Sequence, residues 1–302
     1  MLSILIPNYN YEVGPLLQEL LRQMQAENIA LELICMDDGS AEPYRQQLRE
    51  LPEHPFLQKV FLEKNIGRAA IRNRLAQLAS QPYLLYLDAD SWPTSPRFLV
   101  QYLDNLGPWV LVGGREYAPA CPAAKFSLHW SYGRSREVRS LAARQAQPYA
   151  SFMSNNFALP RAWALAQPFE EQLKQYGHED SLWGWQLAQE KKEIRQIDNA
   201  VIHLGLDENS AFLAKSKQAV ENLHFLSTTA AFPMLDDIKL WRVWKKVQFF
   251  APLLAHLHRI MHKSWEKQLF APQPSLKLFD FYRLSYLALY RFNIKKRKKK
   301  VV

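Results

Sequence analysis

The run YLLYLDADSWP (residues 83–93) drives an apolar segment straight into two carboxylates, Asp88 and Asp90. In an extended strand alternate side chains share a face, so the two would point the same way and repel. A positive partner is therefore expected between them. A divalent cation bound with a substrate diphosphate would serve, because hard cations take oxygen ligands and often use only one or two carboxylates. A strand-ending turn, in which Asp caps the backbone that follows, is the alternative.

Three other stretches carry residue types suited to the same chemistry. DDGS (37–40) sets Asp37 and Asp38 before Gly39, which permits a tight turn. Either acid could accept a hydrogen bond from a base or a ribose, and the same residues equally suit a plain turn. In NIGRAAIRNRLAQLAS (65–80), Ile71, Leu75, Leu78 and Ala79 fall on one helical stripe, and Arg68 and Arg72 on another. A helix start bearing two guanidinium groups is an anion site or a solvated basic face. GHEDSLWGWQL (177–187) opens a helix with Glu179 and Asp180, where the positive helix end favours carboxylates. Trp183 and Trp185 on that helix could stack on sugar rings or pack in a core.

These residues need a scaffold, and the first half supplies one by alternation. SILI, LELICM, LQKVFL, YLLYL and WVLVGG read as strands; VGPLLQELLRQMQAE, PYRQQLREL, RAAIRNRLAQLAS and SPRFLVQYL read as helices. Repeated strand–helix units imply an α/β fold with a mostly parallel sheet covered by helices on both faces. Ligands of such sheets gather at the carboxyl ends of the strands. PNYN (7–10), DDGS, NIGR (65–68) and DADS (88–91) all lie at expected strand ends and should converge on one cleft. Residues 115–150, with Pro119, Pro122 and Pro148, read as an extended connection. SFMSNNFALPRAWA suggests a strand returning to the sheet, EIRQI and AVIH short strands, and ENSAFLAKSKQAVENLHFL a helix. From 235 onward the chain is basic, aromatic and expected to be helical in pieces broken at Pro252, Pro272 and Pro274.

PNYN, DDGS, NIGRAAIRN, LDADS and GHED together occur in the order and approximate spacing of the inverting family-two nucleotide-sugar glycosyltransferases. The resemblance covers about residues 1–226 and implies the GT-A (Rossmann-like) fold. It implies a nucleotide-binding half at 1–114, an acceptor-binding half at 115–226, and leaves 227–302 as a helical basic extension. It further implies that Pro7, Tyr9, Asn10 and Asp38 lie by the nucleotide, with Asp37 supporting the turn, and that Gly67, Arg68 and Arg72 line the ribose and diphosphate side. Asp90 would touch a Mn2+ or Mg2+ ion, Asp88 would hold the ribose or the ion's water shell, and His203 would be a third ligand. Asp180 would be the base that deprotonates the acceptor hydroxyl, as inversion requires, with Glu179 orienting the acceptor or the loop. Asn155 and Asn156 fall near the acceptor-side strand, with Trp183 beside them in that role.

Bulk properties narrow the setting. Residues 1–234 hold 22 Lys and Arg against 25 Asp and Glu, whereas 235–302 hold 16 against 4, so the formal charge of +9 comes entirely from the last quarter. Basic, aromatic helices ending in KKRKKK (295–300) suit an anionic membrane surface and hence a membrane-presented glycan or lipid-linked acceptor. Nucleic acid could attract the same charges but would leave the acidic cleft unexplained. The start MLSILIPNYN has no basic leader with a long apolar segment, and no apolar run reaches membrane-spanning length. Cys35 and Cys121 are expected to be small buried residues. A cytoplasmic enzyme attached peripherally to the inner face of the membrane is the resulting expectation. A catalytically silent nucleotide-sugar or glycan-binding protein is its rival; a dehydrogenase is disfavoured because no GxGxxG follows the first strand.

Overall fold

The computed structural model describes residues 1–172 and 177–298. Residues 1–118 form β1 (Leu2–Asn8), α1 (Gly14–Ala26), β2 (Glu32–Asp37), α2 (Tyr44–Glu50), β3 (Leu57–Phe61), α3 (Arg68–Leu78), β4 (Tyr83–Leu87), β5 (Ser91–Pro93), α4 (Phe98–Asn105), β6 (Val110–Val112) and β7 (Arg115–Glu116). Residues 119–205 add α5 (Ser127–Tyr132), α6 (Leu141–Ala146), β8 (Asn156–Pro160), α7 (Arg161–Ala166), α8 (Glu179–Gln189), β9 (Ile194–Gln196) and β10 (Val201–His203). Helices alone follow: α9 (Asn209–Leu226), α10 (Lys239–Val247), α11 (Ala251–Leu269) and α12 (Leu276–Lys298).

Seven strands form a mostly parallel sheet in the order β3-β2-β1-β4-β8-β6-β9, in which β8 alone runs antiparallel to its neighbours. The strands read as nearly unbroken apolar runs because both faces are covered. On β1, Leu2, Ile4 and Ile6 join Leu16, Leu17, Leu20 and Met24 of α1 in one core, whereas Leu5 joins Ile71 and Leu75 of α3 in the other. The period of two sorts β2 and β4 the same way: Leu33, Cys35, Leu85 and Leu87 face the first core, Ile34, Met36, Leu84 and Tyr86 the second. The second core is aromatic. Phe157 of β8 stacks on Tyr86 at 4.9 Å between centroids, and Trp183 of α8 stacks on Phe169 at 5.0 Å. A small second sheet, β5-β10-β7, brings the end of β10 beside the segment that follows β4.

The described chain divides into two compact units. The first comprises residues 1–118, 137–172 and 179–205; the second comprises 119–136, 177–178 and 206–298. This division does not follow the boundary expected after residue 226. Helix α9 belongs to the second unit because its Phe212 and Leu213 share a core with Leu128 of α5, Trp265 and Leu269 of α11, and Phe279 and Tyr282 of α12. Residues 115–150 are not the extended connection that their prolines suggest. They form α5, a turn of π-helix at Gly133–Glu137, and α6, the prolines lying outside these helices. Arg144 of α6 is buried and donates to the carbonyls of Val112 and Ile197 and to Gln196 Oε1, an arrangement invisible to local patterning. The helical pieces divide close to the prolines, as expected: Pro252 occupies the first turn of α11, where its missing N–H costs nothing, and Pro272 and Pro274 lie between α11 and α12. Cys35 is buried as expected, whereas Cys121 is partly exposed.

Phe157 is fully buried and contacts four other aromatic rings. Phe157→Ala is expected to cost about 3–5 kcal/mol of stability, read as a lower urea midpoint at unchanged slope. A midpoint equal to that of the parent would contradict the packing described.

Candidate active site

The first three strand ends of the first unit are stitched to one another by side chains. The Asp38 N–H donates to the Asn8 carbonyl at 2.8 Å, joining the loops after β1 and β2. Asn10, at φ 51°, reinforces the joint: its N–H donates to Ser40 Oγ and its Oδ1 accepts from the Ala41 N–H, both at 2.8 Å. Asp37 is fully buried and accepts from the Ser40 N–H at 3.1 Å. Asp38 reaches the third loop, accepting from the Ile66 N–H at 2.7 Å and the Gly67 N–H at 3.2 Å. Burial raises the Asp38 carboxyl above the ordinary range despite these two donors. Gly39 is required twice over, because φ is +70° and a Cβ would lie 2.7 Å from the Lys64 backbone. DDGS is thus a turn, and its acids also tie neighbouring loops together. Pro7 is half-buried at the end of β1, and Tyr9 is exposed beside it.

At the fourth strand end the two carboxylates do not share a face. The Ser91 N–H donates to the Asp88 carbonyl at 3.0 Å, so residues 88–91 turn instead of extending. Asp88 faces Arg72 of α3, whose Nη2 lies 2.7 Å from Asp88 Oδ1. Arg72 is buried and its guanidinium lies over the Phe169 ring at 5.7 Å. Asp90 faces His203 at the end of β10, with Oδ1 and Nδ1 3.2 Å apart. The antiparallel pairing of His203 with Ser91 sets that contact. Burial alone would raise the Asp90 carboxyl, but His203, Arg115 and Arg68 together hold it well below the usual carboxylate range. Tyr11 is pushed up to about 12 by burial and then by the Asp90 charge.

Asp90 and His203 offer one hard carboxylate oxygen and one imidazole nitrogen at the same point. Among the described residues no group of three or more His, Cys, Asp and Glu side chains converges. Two protein ligands are what a cation shared with a diphosphate and water needs, so the residues fit a Mn2+ or Mg2+ ion of that kind. Asp88 is engaged by Arg72 and does not complete the pair.

Five residues of this site carry no local sequence signature. A Cβ on Gly205 would sit 2.1 Å from Asp90 Oδ2, so the residue two beyond His203 must be glycine. Arg115, Tyr117 and Glu137 form a cluster behind His203: Glu137 accepts from Arg115 at 2.9 Å and from the Tyr117 hydroxyl, and the Tyr117 ring meets His203 edge-on at 5.4 Å. Ser154 grips Asp180, its Oγ donating to Oδ1 at 2.6 Å and its N–H to Oδ2 at 3.1 Å. The signals available were a glycine after AVIH, an arginine after the Gly113–Gly114 turn and a serine before the returning strand, none of them specific alone.

Glu179 and Asp180 open α8, as expected, and Arg68 and Arg72 both act on Glu179. Glu179 thus lies within electrostatic reach of Arg68, which also acts on Asp90, and of Arg72, which holds Asp88. Burial first, and the neighbouring Asp180 next, raise the Glu179 carboxyl; the arginines only partly offset this. Of three residues assigned to an acceptor, the side chains of Trp183 and Asn156 are committed elsewhere. Trp183 is buried in the aromatic core and donates to the Gln167 carbonyl at 3.1 Å, because α8 turns residues 182, 183 and 187 inward. Asn156 is fully buried, accepting from the Tyr102 hydroxyl at 2.6 Å and donating to the carbonyls of Gly114 and Asn199. Asn155 is also buried; its carbonyl accepts from the Asp88 N–H at 3.0 Å, and its side-chain nitrogen makes no hydrogen bond.

The sequence profile of Glycosyl transferase family 2 matches residues 3–163, more than half of the chain. No curated protein sequence matches it. Among solved structures, the mannosyltransferase PcManGT from Pyrobaculum calidifontis, in complex with GDP-Man and Mn2+, is 15% identical with a TM-score of 0.58, covering 97% of this chain and 86% of that one. TarS of S. aureus is 16% identical with a TM-score of 0.52, covering 94% of this chain and 54% of that one. These likenesses show a shared fold.

Because burial disfavours its ionised form, Glu179 keeps its proton to higher pH in the folded chain than in the unfolded one. Stability is unpenalised below the ordinary carboxylate pKa and falls as pH rises through the raised one. Glu179→Gln removes that penalty, so its melting temperature should exceed the parent's at about pH 7.5, with the gap closing towards about pH 4. A constant gap across that range would contradict the environment described.

Proposed function

We propose, from the premise that this chain belongs to Glycosyl transferase family 2, that it is a metal-dependent, inverting enzyme. It moves a hexosyl or N-acetylhexosaminyl group from a nucleoside diphosphate sugar, a UDP-sugar in this reading, to a hydroxyl of a glycan or lipid-linked acceptor in cell-envelope polysaccharide synthesis. The observation that carries the reading is the meeting of the Arg72–Asp88 and Asp90–His203 pairs with the acidic start of α8 around one set of charges.

In this reading residues 1–114 hold the donor. Pro7, Tyr9 and Asn10 border the nucleotide, and Asp37 and Asp38 hold the loops that receive it. Gly67 opens α3 at φ +92°, and Arg68 and Arg72 beside it attract the diphosphate. Asp88, held by Arg72, is placed for the ribose. A Mn2+ or Mg2+ ion on Asp90 and His203 would neutralise charge growing on the departing diphosphate. Asp180, fixed by Ser154, takes the proton of the acceptor hydroxyl. That oxygen's electron pair forms the new bond to the anomeric carbon as the opposite carbon–oxygen bond breaks and its electrons leave with the nucleoside diphosphate. Glu179 and the unpaired Asn155 amide are the remaining polar groups for orienting the acceptor. The reading includes peripheral attachment of the basic extension at 227–302 to the inner, cytoplasmic face of a membrane. No helix among the described residues is long and apolar enough to cross one.

Asp180→Asn should lower kcat for UDP release by about 10²–10⁴ with little change in donor KM. Turnover equal to the parent's would overturn the assigned base and favour the binding-protein alternative. Gly205→Ala should displace the Asp90 carboxylate and so diminish the rise in melting temperature that Mn2+ with UDP gives the parent. An undiminished rise would remove Asp90 from the metal site.

A further inference from the structure

The second unit carries an apolar surface that the chemistry above does not use. Helices α10 and α11 are joined by a single 3-10 turn, Gln248–Phe250, on which Phe249 is 86% and Phe250 62% exposed. Leu253, at 55%, and Ile260, at 62%, continue the surface along α11, seven residues and so about two turns apart. Isolated exposed apolar residues are ordinary, but two adjacent exposed phenylalanines followed by apolar residues along the same helical stripe mark an interaction surface. The turn is held from behind, because Trp241 and Trp244 of α10 and Leu254 and Ala255 of α11 are buried.

Cations flank this apolar tip along both helices, Lys245 among them pairing with Asp236 at 2.6 Å. Between residues 239 and 269 there are seven Lys and Arg and one acid, Glu266. Glu266 is itself engaged by Lys217 and the Tyr282 hydroxyl. On α10 the exposed positions beside Val243 are Arg242, Lys245 and Lys246; on α11 the exposed face turns basic at Arg259, Lys263 and Lys267. An apolar face bordered by cations on an interfacial helix matches the two layers of an anionic bilayer surface, acyl chain and phosphate. A second copy on the same patch would set like charges against one another. Nucleic acid would satisfy the cations but would leave the aliphatic Leu253 and Ile260 without a stacking partner.

We propose that the Phe249–Phe250 turn inserts into the headgroup–acyl boundary of an anionic phospholipid bilayer. Leu253 and Ile260 lie along that boundary, and Arg242, Lys246 and Lys263 meet the lipid phosphates. The inference deepens the peripheral attachment in the reading above and rests on it.

The test uses the full chain, floated with phosphatidylcholine vesicles with and without about one-third phosphatidylglycerol. The parent should float with the anionic vesicles only, and added salt should weaken its binding. The double variant Phe249→Asp, Phe250→Asp should lose at least about tenfold in bound fraction while keeping the parent's melting temperature and UDP release in solution. F249W should gain fluorescence quenching from brominated acyl chains relative to the parent. If the parent floats and the double variant floats equally, the insertion proposal fails while the attachment stands. If the parent floats with no vesicle, attachment and insertion fail together, with the glycosyltransferase reading untouched. Tight binding of a DNA duplex by a parent that ignores vesicles would likewise overturn the proposal and assign the cations to nucleic acid.

Discussion

The turn at residues 88–91 assigns two acids, one residue apart, to two different partners, and the site is arranged around that division. Were the strand to continue straight, Asp88 and Asp90 would share a face and their repulsion would oppose folding. The Ser91 N–H to Asp88 carbonyl bond bends the chain, giving Asp88 to Arg72 and Asp90 to His203. Each partner comes from an element far away in sequence, α3 for one and β10 for the other. The turn therefore joins the large sheet to the small one, and each acid has a fixed protein partner. A pair of half-buried charges held in this way is costly to break, because removing either partner leaves the other desolvated and uncompensated.

The loops around that turn follow the same economy. Asp38 spends its oxygens on the N–H groups of Ile66 and Gly67, which otherwise would lie unpaired at the start of α3. Asn10 does the equivalent for Ala41. Polar residues at the ends of β1 and β2 thus fix the loops by satisfying backbone groups, and Arg72 of α3 remains turned towards Asp88. Two glycines are required by close approach: Gly39 against the Lys64 backbone, and Gly205 against the Asp90 carboxylate. Both leave room for groups that must approach within a methyl's width.

The sequence makes the sheet legible because its strands are buried on both faces and therefore read as apolar runs, and because α1 and α3 show clean stripes. The convergence of PNYN, DDGS, NIGR and DADS follows from that architecture alone. What fails is any inference that needs the identity of a distant neighbour. Trp183 and Asn156 have the residue types of sugar-contacting groups, yet the first completes an aromatic core and the second satisfies three polar groups from elsewhere. Ser154, Gly205 and the Arg115–Tyr117–Glu137 cluster escape notice for the same reason: each acts on a partner twenty or more residues away. The helices between 124 and 146 are hidden differently, since the flanking prolines dominate local patterning while buried Leu128 and Arg144 decide the outcome.

Charge is used at two ranges in this chain, and burial separates them. In the first unit Arg72, Arg115 and Arg144 are withdrawn from bulk water and committed to Asp88, to Glu137, and to Gln196 with two carbonyls. Their fields act over a few ångströms in a medium that weakens them little. The cations of α10 and α11 are exposed, so salt at physiological strength screens them over about 8 Å. Such charges are poor at fixing a reacting group and good at gathering a molecule near an oppositely charged surface. The net charge of −3 over residues 1–234 and +12 over 235–302 follows from this difference: carboxylates are balanced locally where chemistry requires fixed partners, and cations accumulate unbalanced where attraction is collective. Mixing the two would defeat both, since a loosely held cation beside Asp90 would disturb its contact with His203.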